Sequence, residues 1–266
     1  MSDWQQLLRN AKLNQAMESV VNAIKSNPKD PGLRSQFIEL LCIDGQLERA
    51  DQQLMQAIKL FPEFIAGASQ IRHMLKAAQA RDDFSKGGAT ANFLGGRDEQ
   101  YQKLLKLNLA IYHDKQNDIP RLSDELETLR PKTALTINGT DYQDVRDIDD
   151  SLGGFIELFS STGNYYLAPL DQITYLSIKP ANNVLETLWR PVEFEIEGVI
   201  EGEAHLPLTY LHASTQAHKL GKETDWKPVS EDRVFQGLGQ KVWLADECAV
   251  PITSISEIST KIDCAS

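Results

Sequence analysis

The residue types able to do chemistry in this 266-residue chain are few and scattered. Its five histidines are His73, His113, His205, His212 and His218. Their spacing matches no standard zinc pattern, so they are expected to be surface or locally bonded residues. Cys42, Cys248 and Cys264 are odd in number and far apart. They predict no disulfide framework and no Cys-x-x-Cys metal site, and they fit a reducing cytoplasm. No P-loop, no His-Glu-x-x-His and no Gly-x-Ser-x-Gly elbow occurs. Gly237-Leu238-Gly239 lacks the third glycine and the helix of a dinucleotide fingerprint. No catalytic residue, metal or cofactor is expected.

The acidic residues form two groups. Asp141, Asp144, Asp147, Asp149 and Asp150 crowd one stretch. An EF-hand loop needs glycine sixth and a bidentate acid twelfth. Counted from Asp147, those places hold Leu152 and Leu158, so a solvated acidic loop is expected. The second group alternates with apolar residues. If Glu197-Gly198-Val199 is a three-residue turn, Glu195 lies opposite Glu201 and Glu193 opposite Glu203. Val192, Phe194, Ile196 and Ile200 then share the other face. Like charges opposite one another are mildly unfavourable and tolerable on a wet face. They are also a candidate docking surface for a basic partner segment.

Leu188-Trp189-Arg190-Pro191 and Thr224-Asp225-Trp226 add two aromatic motifs. A tryptophan beside arginine can form a cation–π pair or an interface anchor, or simply belong to the core.

These residues must be held by elements, and composition bounds which ones. The chain is 41% hydrophobic with 27 basic and 38 acidic residues, a net charge of −11, which fits a globular protein able to bury a core. That sign argues against nucleic acid and anionic membrane as partners. No apolar run approaches the roughly 20 residues of a membrane span, and the start has no basic n-region or apolar h-region. Residues 1–130 hold 17 basic and 17 acidic residues; residues 131–266 hold 10 and 21. The whole imbalance, 10 − 21 = −11, lies in the second half, which suggests two domains with different surfaces.

The first half has helical periodicity. Leu13, Ala16, Val20, Ala23 and Pro28 match Leu47, Ala50, Leu54, Ala57 and Pro62 at an offset of 34 residues, the period of the tetratricopeptide repeat. A third repeat is expected over about 66–81. Gly87-Gly88 and Gly95-Gly96 mark a loop around Phe93 and Leu94, followed by helices over about 98–116 and 119–129 that cap the stack. The second half has short strands between turns, including a hairpin at Asn138-Gly139. The fold class expected is α+β: a tetratricopeptide-like helical domain, 1–130, then an antiparallel, β-rich, barrel-like domain, 131–266.

Several fragments occur in a telling order. They are Phe93-Leu94-Gly95-Gly96, Gly163-x-Tyr165-Tyr166-x-x-Pro169, Leu188-Trp189-Arg190-Pro191, Leu206-Pro207-x-x-Tyr210, Gly221-x-x-Thr224-Asp225-Trp226 and Gly237-x-Gly239-Gln240. With the repeats before them, they resemble the ImpE/TagJ (SciE-type) accessory proteins of the bacterial type VI secretion system. The resemblance implies a cytoplasmic, non-enzymatic adaptor. Its implied partners are the small subunit of the contractile sheath and the Clp-type ATPase that disassembles it. Stacked helical repeats offer a concave groove for a partner segment. In the second repeat that face is expected to include Ser35, Glu39 and Cys42, with Phe37, Ile38 and Leu41 packed inward. Two other classes stay open: a hydrolase or small-molecule-binding protein with a pocket near Trp189, Arg190, Asp225 and Trp226, and a general chaperone-like scaffold binding many peptides.

Overall fold

The structure is a computed structural model and describes residues 3–230 and 233–260; Cys264 lies outside them. Helices α1 (Asp3–Arg9), α2 (Leu13–Ser26), α3 (Pro31–Asp44), α4 (Leu47–Leu60) and α5 (Ile65–Ser85) pack in sequence. Both ends of α4 follow those of α2 by 34 residues. Asp30 caps α3, its side chain accepting from the amides of Gly32 and Leu33, with Pro31 at the first helical position. Gly45, at φ 83°, closes α3 in the left-handed conformation.

Strand β1 (Asn92–Phe93) follows, then α6 (Asp98–Tyr112) and α7 (Ile119–Leu129). Helix α6 stops four residues short of the expected end, because Asp114 turns left-handed at φ 52° and Lys115 donates back to the Ala110 carbonyl. It packs on α5, and α7 leans on the β-rich part.

The remaining strands are β2 (Leu135–Ile137), β3 (Thr140–Tyr142), β4 (Val145–Asp147), β5 (Phe155–Ser160), β6 (Tyr165–Pro169), β7 (Ile173–Ile178), β8 (Trp189–Ile196), β9 (Ile200–Pro207), β10 (Thr224–Ser230), β11 (Val234–Gly239), β12 (Val242–Ala245), β13 (Cys248–Pro251) and β14 (Glu257–Thr260); a short helix, α8 (Gln216–Lys219), precedes β10. Asn138-Gly139, both at positive φ, join β2 to β3 as expected.

The β-rich part is not a barrel. Its main sheet is open, in the order β1-β6-β5-β9-β8-β7-β14-β2-β3, beside sheets β10-β11 and β13-β12-β4. Closure would require the outer strands to pair with staggered register. Here the two edges are a two-residue strand and a three-residue strand, far apart. Edge β1 comes from the helical region and pairs in parallel with β6, and Leu94 donates to the Leu167 carbonyl. Phe93 stacks on Tyr101 at 4.6 Å and meets Phe155 edge-on at 5.5 Å. Gly95 turns the chain away at φ 93°, where any Cβ would run into Gln172.

One apolar cluster includes Leu41, Leu54, Ala77, Leu104 and Leu126 from the helices together with Phe159, Tyr165 and Trp189 from the strands. A second cluster lies on the other side of the main sheet. The helices and the sheet therefore share a core.

Candidate functional site: a helix–sheet cleft and an acidic hairpin

A cleft of about 880 Å³ opens where α3, α4 and α5 meet the sheet. Gly45 to Arg49 form one wall, and Leu188, Trp189 and Tyr210 belong to the opposite side. Asp44 and Lys219 pair across it at 2.7 Å. A second groove of about 680 Å³ runs along α4 and α5 and shares Leu47, Glu48, Gln52 and Gln79 with the first, so the two are continuous.

Helix α3 does not present a free face here. Phe37, Ile38 and Leu41 are buried as expected, but so is Cys42, at 2% exposure. Leu40 and Ile43 are buried too, because α3 packs against α2, α4 and the segment carrying Glu186. Ser35 and Glu39 are half-buried, and the Ser35 hydroxyl donates to Glu39 at 3.2 Å. Burial, with help from the nearby charge of Glu186, raises the Glu39 carboxyl. Burial also pushes up the Cys42 thiol, which leaves it unreactive.

Beneath the cleft lies a cluster of buried charges. Arg81 on α5 grips Glu157 on β5 with two hydrogen bonds, 2.6 and 2.7 Å, and donates to the Thr209 carbonyl at 3.0 Å. Lys241 pairs with the same carboxylate, and the Tyr165 hydroxyl donates to it at 2.8 Å. Burial opposes the Glu157 charge, but Arg81 and Lys241 together hold the group far below the usual carboxylate range. Arg81 in turn keeps its charge despite burial because Glu157 faces it.

Asp147 and Asp149 sit beside this cluster at 0% and 4% exposure. The solvated loop expected at residues 141–150 is thus overturned for its centre. Asp147 accepts from the Tyr210 hydroxyl at 2.8 Å and from the Asp149 amide at 2.9 Å. Asp149 accepts from Ser151 and from the Gly237 amide. Gly237 is required where it stands, since a Cβ would enter the Tyr210 ring. At the rim, Arg130 grips Asp144, and Arg146 pairs with Asp150 at 2.7 Å. The Thr136 hydroxyl donates to Asp141.

The glutamate hairpin has the predicted register. Glu193 opposes Glu203 and Glu195 opposes Glu201, with all four exposed. Val192, Phe194 and Ile196 are buried beneath them. Ile200 departs from expectation and is 43% exposed, because it sits at the turn beyond the edge of the core. Glu193 also pairs with Lys179 at 2.7 Å.

The two aromatic motifs lie apart. Trp189 is buried, edge-on to Phe159 at 5.8 Å. Arg190 turns to the backbone, donating to the Glu186 carbonyl at 2.7 Å. Trp226 packs edge-on against Tyr210 at 5.9 Å, and exposed Asp225 accepts from the Trp226 amide. Of these four residues only Trp189 lines the cleft.

The Ser214 hydroxyl lies 3.1 Å from His218 Nδ1. Ser214 precedes Thr215, which caps α8, and the His218 ring is buried in that short helix. A local cap contact explains the pair without a nucleophile. Among the described residues no group of three or more His, Cys, Asp or Glu is placed to hold a metal, and no helix is long and apolar enough to cross a membrane.

The residues that matter most for this geometry were not singled out from sequence: Arg81, Glu157, Lys241 and Tyr210. Glu157 carried a signal, being the one charge inside Phe155-Ile156-Glu157-Leu158-Phe159. Tyr165, Tyr210 and Gly237, which stand in the motif fragments, meet at this junction.

Residues 139–259 match the family described as ImpE protein. This stretch is similar to that family. The resemblance drawn from the scattered motifs therefore holds. The matched stretch contains Asp147, Asp149, Glu157, Tyr210, Lys241 and the whole glutamate hairpin, whereas Arg81 reaches into it from outside. A Pseudomonas aeruginosa relative, named as the type VI secretion system accessory component TagJ, is 22% identical over 259 residues, covering 96% of this chain and 89% of the relative. A Vibrio parahaemolyticus protein solved by X-ray crystallography is 49% identical, with a TM-score of 0.95 and 99% of each chain covered.

Proposed function

We propose that this chain is a non-enzymatic, cytoplasmic adaptor of the type VI secretion machinery. In this reading it binds a segment of the contractile sheath's small subunit and links it to the Clp-type ATPase that disassembles the sheath. The observation that carries the reading is likeness along 96% of the chain to a protein named as an accessory component of that system. The site's chemistry supports it. Catalysis needs a perturbed group facing a substrate, yet the perturbed carboxyls of the junction, Asp147, Asp149 and Glu157, are sealed inside and held by protein groups. What remains accessible is a long trough and an acidic sheet face, the features of a binding protein. The two surfaces differ in chemistry. The trough, walled by the end of α3 and the start of α4, suits a segment chosen by shape. The hairpin of Glu193, Glu195, Glu201 and Glu203 suits a basic segment.

A three-component pull-down with the purified full-length chain tests this. The ATPase is expected to be recovered on immobilised sheath small subunit only when the chain is present. Failure of the chain to bind either protein overturns the reading.

A further inference from the structure

The buried cluster at the junction does not balance its charge. Three carboxyls, Asp147, Asp149 and Glu157, face two cations, Arg81 and Lys241, and all five are at most 7% exposed. The sum is 2 − 3 = −1. An uncompensated charge in a protein interior is costly, and the usual escape is neutralisation by a proton. Glu157 is not the site of that proton, because its oxygens face the two cations Arg81 and Lys241, whereas the donors to Asp149 are neutral amides and a hydroxyl. The remaining pair shares what is left. Asp147 Oδ2 has no hydrogen-bond partner and stands 3.9 Å from Lys241, whose own strong contact is to Glu157. Asp149 lies next to it, joined through its amide to Asp147 Oδ1.

We propose that the Asp147–Asp149 pair carries one exchangeable proton that balances the buried cluster, making the junction of helices and sheet a pH-sensitive joint. The proton belongs to the pair rather than to one residue. The groups facing it come from every neighbouring element. They are Arg81 from α5, Glu157 and Tyr165 from β5 and β6, Tyr210 and His212 after β9, and Lys241 before β12. A cavity of about 40 Å³, large enough for water, lies against Asp149 and is lined also by Arg81, Tyr210 and His212. Arg81 and Tyr210 line the cleft above as well, so the protonation state of the pair is felt on its floor.

Burial, followed by the charge of Asp147, pushes Asp149 up to about 7, and burial raises Asp147 too. The sign follows from linkage. The folded pair holds a proton that the unfolded chain releases at an ordinary carboxylate pKa. The stabilisation is complete below that pKa and is lost as pH rises through about 7. Half-buried His205 and His212, held below their usual range by partial burial, act in the opposite direction.

Infrared spectroscopy of the full chain reads the proton directly. Half-buried Glu39, the other raised carboxyl, is removed as Glu39→Gln in every sample. A carboxylic-acid carbonyl band is expected at about pH 6 and should fade by about pH 8.5, when exposed carboxyls have long been ionised. The urea midpoint should fall over the same interval. In Asp147→Asn combined with Asp149→Asn the band should vanish and the midpoint should no longer fall, the two histidines leaving it level or rising. If that variant does not fold, the band of the Glu39→Gln protein decides. No band at about pH 6, a band that persists to about pH 8.5, or a band unchanged by the double substitution overturns the proposal.

Discussion

Residues 141–150 and 193–203 carry similar charge, five aspartates in ten residues and five glutamates in eleven. In the fold they do opposite things. The glutamates point into solvent from a hairpin whose apolar residues take the other face. Two of the aspartates point into the interior, and the other three are spent on Arg130, Arg146 and Thr136 at the rim. Charge density is therefore a poor guide to exposure. Alternation with apolar neighbours is a better one, because it fixes which face of a strand each residue takes. Both outer residues of β4, Val145 and Asp147, are inward positions, so Asp147 is buried by register and must find partners there.

The largest effect that would break this contrast comes from the interior. Arg81→Met keeps the volume and removes the charge that Glu157 and the helices share. Loss of one partner from a buried pair is expected to cost about 3–5 kcal/mol, read as a lower urea midpoint. A loss below about 1 kcal/mol, the range of surface ion pairs, would mean that the cluster behaves like surface charge and that the contrast is wrong.

An intermediate effect is expected at the rim. Asp144 accepts two hydrogen bonds from Arg130 and one from the Thr133 amide. Asp144→Ala should destabilise by about 1–3 kcal/mol. Its pH dependence should run opposite to that of the buried pair. Arg130 holds Asp144 below its ordinary value, so its contribution is present above the unfolded pKa and is lost as pH falls through the folded one. A pH titration of the wild type against Asp144→Ala should converge in acid and separate at neutrality.

Legibility in the sequence followed the same physics. Local rules were readable: the Asn138-Gly139 turn, the limits of α7 and the hairpin register all follow from residues close together in the chain. The junction was not readable, because Arg81 and Glu157 are 76 residues apart and Lys241 lies 84 further on. No periodicity links such positions. The open sheet was missed for a related reason: its edge strand β1 comes from residues 92–93, inside what looked like a loop between helices. The α3 face holding Cys42 looked available because its covering partner near Glu186 is also remote in sequence.

The smallest expected effect on stability, and the largest difference between stability and binding, belongs to the hairpin. Glu195 and Glu201 are directly opposed, exposed and like-charged. Replacing the pair by Glu195→Lys and Glu201→Lys exchanges one mild repulsion for another, so the urea midpoint should move by no more than about 0.5 kcal/mol. Glu195→Lys alone creates an opposite-charge pair and should stabilise by about 0.2–1 kcal/mol, an increment that shrinks with added salt. If the acidic face recruits a basic segment, the double variant should nonetheless weaken one of the two partners in the pull-down, mainly through a slower association rate at low salt. Unchanged association with both partners would leave the hairpin as an ordinary wet surface. It would also assign recognition to the trough, where shape rather than charge selects.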